Sequence, residues 1–280
     1  MKKIHFLLIA LLAFQFSYAQ TKSCCAPSST QEFAMLSKDE SFVASHLSPL
    51  PFVLEGGKGK MISIKTAGAK ANAYEVKAAK PTKNYLFVIH EWWGLNDYIK
   101  REAERLQKEL GNLNVIAIDL YDGQIATDAD SAGKIMSNIK DERAREIING
   151  VIKYVGKDAK ISTIGWCFGG GWSLQAALMC KTQAAGCVVY YGYPELNLDK
   201  LKSLNCSVLG LYAKNDDWIN PELVARFEKA MKSAGKNLTV ILYDAVHAFA
   251  NPSNPKYNKE AATDAHARVL EYLSGVYGKK

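Results

Sequence analysis

Six near-continuous apolar runs of strand length constrain this chain more than any other feature. They are Tyr85–His90 (YLFVIH), Val115–Leu120 (VIAIDL), Ile161–Gly165 (ISTIG), Cys187–Tyr191 (CVVYY), Val208–Ala213 (VLGLYA) and Leu238–Tyr243 (LTVILY), and helix-period segments separate them. A strand apolar on both faces has to be covered on both faces, and the intervening helices are the cover. The pattern therefore predicts a parallel sheet between two helical layers. Two earlier alternating runs, Met61–Lys65 and Ala71–Val76, predict an antiparallel pair at the sheet edge. The expected class is α/β, with about eight strands, mostly parallel, and helices on both faces.

Punctuation places the helices. Tyr98–Leu110 ends before Gly111, and Pro221–Ala234 opens on proline and ends before Gly235, the usual asymmetry of helix ends. Asp128–Val155 reads as two helices in a long connection, and Lys259–Leu273 as a closing helix. There is no internal repeat. A chain of 280 residues, 48% hydrophobic, can bury one sizeable core, so a single globular domain over residues 56–280 is expected.

The N-terminus differs from the rest. Two lysines, an apolar run from Ile4 to Phe16 and the small-residue ending Ser17-Tyr18-Ala19 read as a cleaved secretory signal over residues 1–19. The apolar run is short of the roughly 20 residues that span a bilayer. Residues 20–55 read as an irregular leader. The expectation is an exported protein, periplasmic or secreted, free of the membrane after cleavage and acting as a monomer. The net charge of +7 is spread out and partly terminal, with no basic block, so a nucleic-acid partner is not expected. The six cysteines form no dense framework and no CxxC pair, so neither a disulfide scaffold nor a metal site is expected, and no cofactor motif is present. Cys24 and Cys25 are adjacent, which disfavours a bridge between them; Cys187 and Cys206 open apolar runs and read as buried free thiols, as residues of their type usually are.

Chemistry concentrates in "TIGWCFGGGW", residues 163–172. Cys167 follows an apolar strand directly and precedes a helix, with Gly165, Gly169, Gly170 and Gly171 around it. A turn that sharp needs flanking residues without bulk and leaves its middle side chain at the tip, over a helix N-terminus that favours a thiolate and a developing oxyanion. The competing reading is a structural cysteine in a glycine-rich turn. Partners decide between them: an elbow nucleophile needs a base and an acid, in the chain order nucleophile, acid, histidine. His247 lies in the loop after the last strand, and Asp216 and Asp217 follow the penultimate one. His266 lies inside the closing helix and reads as a surface residue.

With these residues in place, the chain from about Met61 to its C-terminus resembles the dienelactone hydrolase family of α/β-hydrolases. The blocks "HEWWGLNDYIKREAERL", "DLYDG", "GWCFGGG", "NDDWINP" and "AVHAFANP" occur in the family's order. The resemblance implies the α/β-hydrolase fold and a Cys167-His247-Asp216 triad, Asp216 being favoured over Asp217 by Ile219 three residues on. It also implies that Glu91 contacts the thiol and that Trp92 lends a backbone N–H to the oxyanion hole beside that of Phe168. The reaction expected is cleavage of a small-molecule ester or lactone through a thioacyl-enzyme. Family members grip a carboxylate with an arginine four residues after the histidine; here that position is Asn251, and Arg143 and Arg145 are the nearest other candidates. Trp93, Trp218 and Phe249, with Asn251, are the expected substrate lining, suited to an apolar or carbohydrate-like ester. Two other functions compete: a thiol redox protein using Cys167, which lacks a nearby resolving cysteine, and a binding protein on a retained hydrolase fold.

Overall fold

The computed structural model describes residues 27–278; the expected signal segment, Cys24 and Cys25 lie outside these. Two short helices come first, α1 (Ser29–Met35) and α2 (Glu40–Ser45), followed by strands β1 (Lys60–Ile64), β2 (Ala71–Val76) and β3 (Asn84–Ile89). Helix α3 (Asp97–Leu110) leads to β4 (Asn114–Ile118), and α4 (Ala129–Asn138) and α5 (Asp141–Val155) lead to β5 (Lys160–Trp166). Then come α6 (Phe168–Cys180), β6 (Ala184–Tyr190), α7 (Leu198–Lys202), β7 (Val208–Ala213), α8 (Pro221–Ser233), β8 (Leu238–Tyr243) and α9 (Lys259–Tyr277).

The strands form one eight-stranded sheet in the order β1-β2-β4-β3-β5-β6-β7-β8. β2 runs antiparallel to β1 and β4, while every pairing from β4 to β8 is parallel. Every residue of β4 and β7 is buried, as central strands covered on both sides require, whereas the edge strands β1 and β8 are partly open. Helix α6 is the most enclosed helix, buried at eleven of its thirteen positions. Ser173 of α6 donates to Thr163 of β5 and to the Val188 carbonyl of β6, both at 2.9 Å, which pins the helix against the two strands that carry it.

The leader departs from the irregular segment expected. Ser28 and Gln31 form a reciprocal capping box at the start of α1, and the Asp39 side chain accepts from the amides of Ser41 and Phe42 at the start of α2. These helices are too short to show a hydrophobic period, so their caps are their main sequence signal. They are also tied to the domain: Ser28 and Thr30 donate to Asp141, and Gln175 donates to both Ser29 and Glu195. Phe33 and Phe42 are buried and meet edge to face at 5.8 Å.

Among the described residues Cys167, Cys180, Cys187 and Cys206 are free, Cys206 being only partly buried. No helix among the described residues is long and apolar enough to cross a membrane.

Candidate active site

Cys167 stands between β5 and α6 with φ of 56° and ψ of −120°, a left-handed conformation that costs a non-glycine residue about 1–3 kcal/mol. The glycines around it make that turn possible. A Cβ on Gly165 would fall on the Gly169 carbonyl, and one on Gly169 would fall on the carbonyls of Ile89 and His90, so β5, α6 and the end of β3 approach each other backbone to backbone. Relief would require backbone to move. Gly169→Ala is therefore expected to destabilise the protein by about 3 kcal/mol or more, lowering the melting temperature by about 6–12 °C. An unchanged thermal melt would contradict this packing.

The elbow presents Cys167 to His247, whose Nε2 lies 3.4 Å from Sγ. The other ring nitrogen, Nδ1, donates to Asp216 Oδ2 at 2.6 Å, and Asp216 Oδ1 accepts from the amides of Trp218 and Ile219 at 3.0 and 2.9 Å. Asp217 is exposed. The structure thus brings Asp216 to the histidine, through a tight turn that the two amides hold closed. All three side chains project from loops at the carboxyl ends of β5, β7 and β8, the reactive edge of a doubly wound sheet.

Burial sets the electrostatics. It would raise the Asp216 carboxyl, but the charge of His247 and the hydrogen bonds to Asp216 hold it below its ordinary value. Burial would lower His247, yet Asp216 and Cys167 raise it well above its ordinary value. Burial pushes the Cys167 thiol up, against the lowering influence of His247, and the charge of Glu91 adds to the rise.

Glu91 follows β3 and is buried. Its Oε1 accepts from the Tyr191 hydroxyl at 3.3 Å and its Oε2 from the Asn251 side-chain amide. The expected contact with the thiol is not a hydrogen bond among the described residues: the influence of Glu91 on Cys167 is that of its charge. Burial raises Glu91 to about 7, against the opposing influence of His247, Tyr191 and Asn251. His90, beside it, is fully buried and structural: Nδ1–H donates to the Glu91 carbonyl at 2.6 Å, and Nε2 accepts from the Leu120 amide at 3.1 Å. That pair of bonds fixes the backbone leading to Trp92.

The expected lining divides. A cavity of about 380 Å³ opens beside Glu91, with Trp93, Trp166, Tyr190, Asn251, Arg101 and Arg105 among its walls. Trp93 and Asn251, two of the expected lining residues, lie on this cavity. Phe249 is not: it is fully buried against Tyr190, Tyr191 and Tyr243, where the core needs its volume. Trp218 packs edge to face on Phe42 of the leader, with centroids 5.2 Å apart, and donates its indole N–H to Asp39. Phe168 turns its ring onto His90 and Tyr121. Arg143 pairs with Asp122 and Glu146, Arg145 bonds Gln175, and neither lines the cavity. His266 is tied to Arg105 at 2.8 Å and to Glu109 at 2.5 Å, and forms part of the cavity wall instead of a free surface position.

Two site residues escape the sequence reading. Tyr191 sits at the end of β6, where only its position at a strand terminus hints at a role. His46, just after α2, packs its ring at an angle 4.4 Å from Trp92 and edge on 5.3 Å from His247, and Phe42 lies 6.0 Å from His247. The leader thus roofs Cys167 and His247, and Cys167 is only 1% exposed.

The sequence profile of the dienelactone hydrolase family matches residues 71–277. A Saccharolobus solfataricus protein named "Putative carboxymethylenebutenolidase" is 30% identical, the match covering 78% of this chain and 98% of that protein. The crystal structure of a "Putative Dienelactone Hydrolase" from Klebsiella pneumoniae shares the fold at a TM-score of 0.68 and 24% identity, over 77% of this chain and 98% of that one. A dienelactone hydrolase-like promiscuous phosphotriesterase from metagenomic libraries shares it at a TM-score of 0.65 and 19% identity, over 79% of this chain and 99% of that one. The chain therefore belongs to the dienelactone hydrolase family of α/β-hydrolases and is an ester- or lactone-hydrolysing enzyme.

Proposed function

We propose that the protein cleaves a carboxylic ester or lactone through a covalent thioacyl-enzyme built on Cys167, His247 and Asp216. The observation that carries this reading is the relay from Cys167 Sγ through both nitrogens of His247 to Asp216, at 3.4 and 2.6 Å. His247 Nε2 takes the thiol proton as Sγ attacks the carbonyl carbon, and the carbonyl π electrons move to oxygen. The backbone N–H groups of Phe168, at the start of α6, and Trp92 receive that oxyanion, each worth about 3–4 kcal/mol in sites of this kind. Collapse expels the alkoxide, which takes the proton from His247. Water, deprotonated in turn by His247, attacks the thioester and releases the acid and the thiol.

Asn251 holds Glu91 in place of the arginine that would grip a substrate carboxylate, and the aromatic walls of the adjacent cavity accept a flat or sugar-like group. The substrate class read from these walls is an apolar or carbohydrate-like ester, and the reading of residues 1–19 as a signal puts its site of action outside the cytoplasm. Hydrolysis of p-nitrophenyl acetate by the wild type, compared with Cys167→Ala and His247→Ala, tests the chemistry. Equal rates in all three would end the reading.

Glu91 serves as a charge gate on the thiol. Above pH 7 it is anionic and holds the Cys167 proton on; below pH 7 it becomes neutral and that hold is released. Glu91→Gln is neutral at every pH, so at pH 8 the variant should react faster with iodoacetamide than the wild type. At pH 5.5 the two rates should converge. A constant ratio across this range would show that Glu91 does not act by its charge.

A further inference from the structure

From the three side chains that converge over the elbow we propose a binding site for a thiophilic d10 cation, with Zn²⁺ as its probe, formed by His46, Cys167 and His247. One ligand atom from each lies within 4.8 Å of the other two, and all three residues are buried. Two imidazoles and a thiolate are a donor set suited to zinc, which binds sulfur at about 2.3 Å and nitrogen at about 2.0–2.1 Å. A tetrahedral ion bridging such a pair holds S and N about 3.5 Å apart. The 3.4 Å between Cys167 Sγ and His247 Nε2 already matches.

The two histidines are prepared in the same way. His247 gives its Nδ1–H to Asp216, and His46 gives its Nδ1–H to the Phe42 carbonyl at 2.7 Å. Each bond fixes a tautomer that leaves Nε2 with a free lone pair, the arrangement by which metal-ligating histidines are oriented from behind. His247 Nε2 is directed at the sulfur. His46 Nε2 is buried and has no hydrogen-bond partner among the described residues. A buried acceptor left without a partner is costly, and a cation at this point removes that cost. His46 is carried by the leader, so the site exists only while α2 is docked on the domain.

A small hollow of about 80 Å³ leads to the pair, lined by Ser45, Trp218 and Asn254 with His46 and His247, and with Asp217 and Lys256 at its walls. Zinc binding forms the Zn–S bond and releases to solvent the one proton held between Cys167 Sγ and His247 Nε2; both imidazoles then bind neutral, and no electron is transferred. The ion occupies the sulfur lone pair and the Nε2 that the hydrolytic step uses. Zn²⁺ therefore switches the hydrolase off reversibly, and shields the thiol from oxidation while bound.

Calorimetric titration of untagged, chelator-stripped protein with zinc chloride should show one ion per chain. Cys167→Ser and His46→Gln should each weaken binding more than about 10-fold, the scale already seen for lesser, outer-shell losses. Co²⁺ should give a thiolate charge-transfer band in the wild type that Cys167→Ser abolishes. Zinc should also inhibit ester hydrolysis by the wild type, with recovery on adding EDTA. No stoichiometric binding overturns the proposal, as does zinc retained at full affinity by both variants, which would place the ion elsewhere, at Cys24 and Cys25 for example. Binding is read without substrate, so a protein that binds zinc but cleaves no ester keeps this site and loses the hydrolytic reading, and the converse result does the opposite.

Discussion

Cys167→Ala is expected to lower kcat/KM for p-nitrophenyl acetate by at least about 10⁴-fold, the scale of losing a nucleophile that acts as one unit with its base. The fold should survive, because the strained turn is held by the glycines packed around it and alanine tolerates the same backbone as well as cysteine does. An unchanged melting temperature beside a lost activity is therefore the full expected result. Cys167→Ser should also lose at least about 100-fold. A serine hydroxyl is a far weaker acid than a thiol, and the 3.4 Å separation from His247 Nε2 suits sulfur but is long for an O–H···N bond. If Cys167→Ala keeps wild-type turnover, the nucleophile lies elsewhere and both the elbow and the triad lose their meaning.

The sheet and the elbow are legible in the sequence for one reason: each is specified by contiguous residues. Six apolar runs with helical spacers leave few arrangements other than a parallel sheet, and the glycines around Cys167 suit a strand end and a helix start that meet backbone to backbone. The family blocks added Glu91 and Trp92, which their own residues would not have distinguished from ordinary loop positions. The leader shows where such reading stops. Nothing between Ser28 and His46 says which surface it covers, and its helices are one or two turns long; what ties it down is Ser28 and Thr30 on Asp141, across more than a hundred residues of chain. His46 reaches His247 through distant contacts of this kind, those of Phe42 and Asp39 with Trp218 among them. Phe249 is the opposite case: an aromatic next to the catalytic loop invites assignment to the pocket, yet its ring fills the space between Tyr190, Tyr191 and Tyr243, a demand of three-dimensional packing that adjacency in sequence does not encode.

The pair Asp216 and Asp217 offers the other large effect, because two neighbouring carboxylates of identical chemistry are separated only by where the turn points them. Asp216→Asn keeps an acceptor for the amides of Trp218 and Ile219, so the turn after β7 should hold. What changes is the group facing His247 Nδ1. The asparagine amide donates there, which forces the proton of the ring onto Nε2 and leaves no lone pair to take the proton of Cys167. The loss of kcat should be about 10⁴-fold, as for a triad histidine locked in the wrong tautomer. Asp217→Asn, at an exposed position, should stay within about 2-fold of the wild type, in line with surface substitutions that touch no buried network. Steady-state kinetics on the two single variants separates the roles directly. Equal losses in both would mean that the acid is shared, and a large loss confined to Asp217→Asn would transfer the orienting role to Asp217 and require a different turn in the working enzyme.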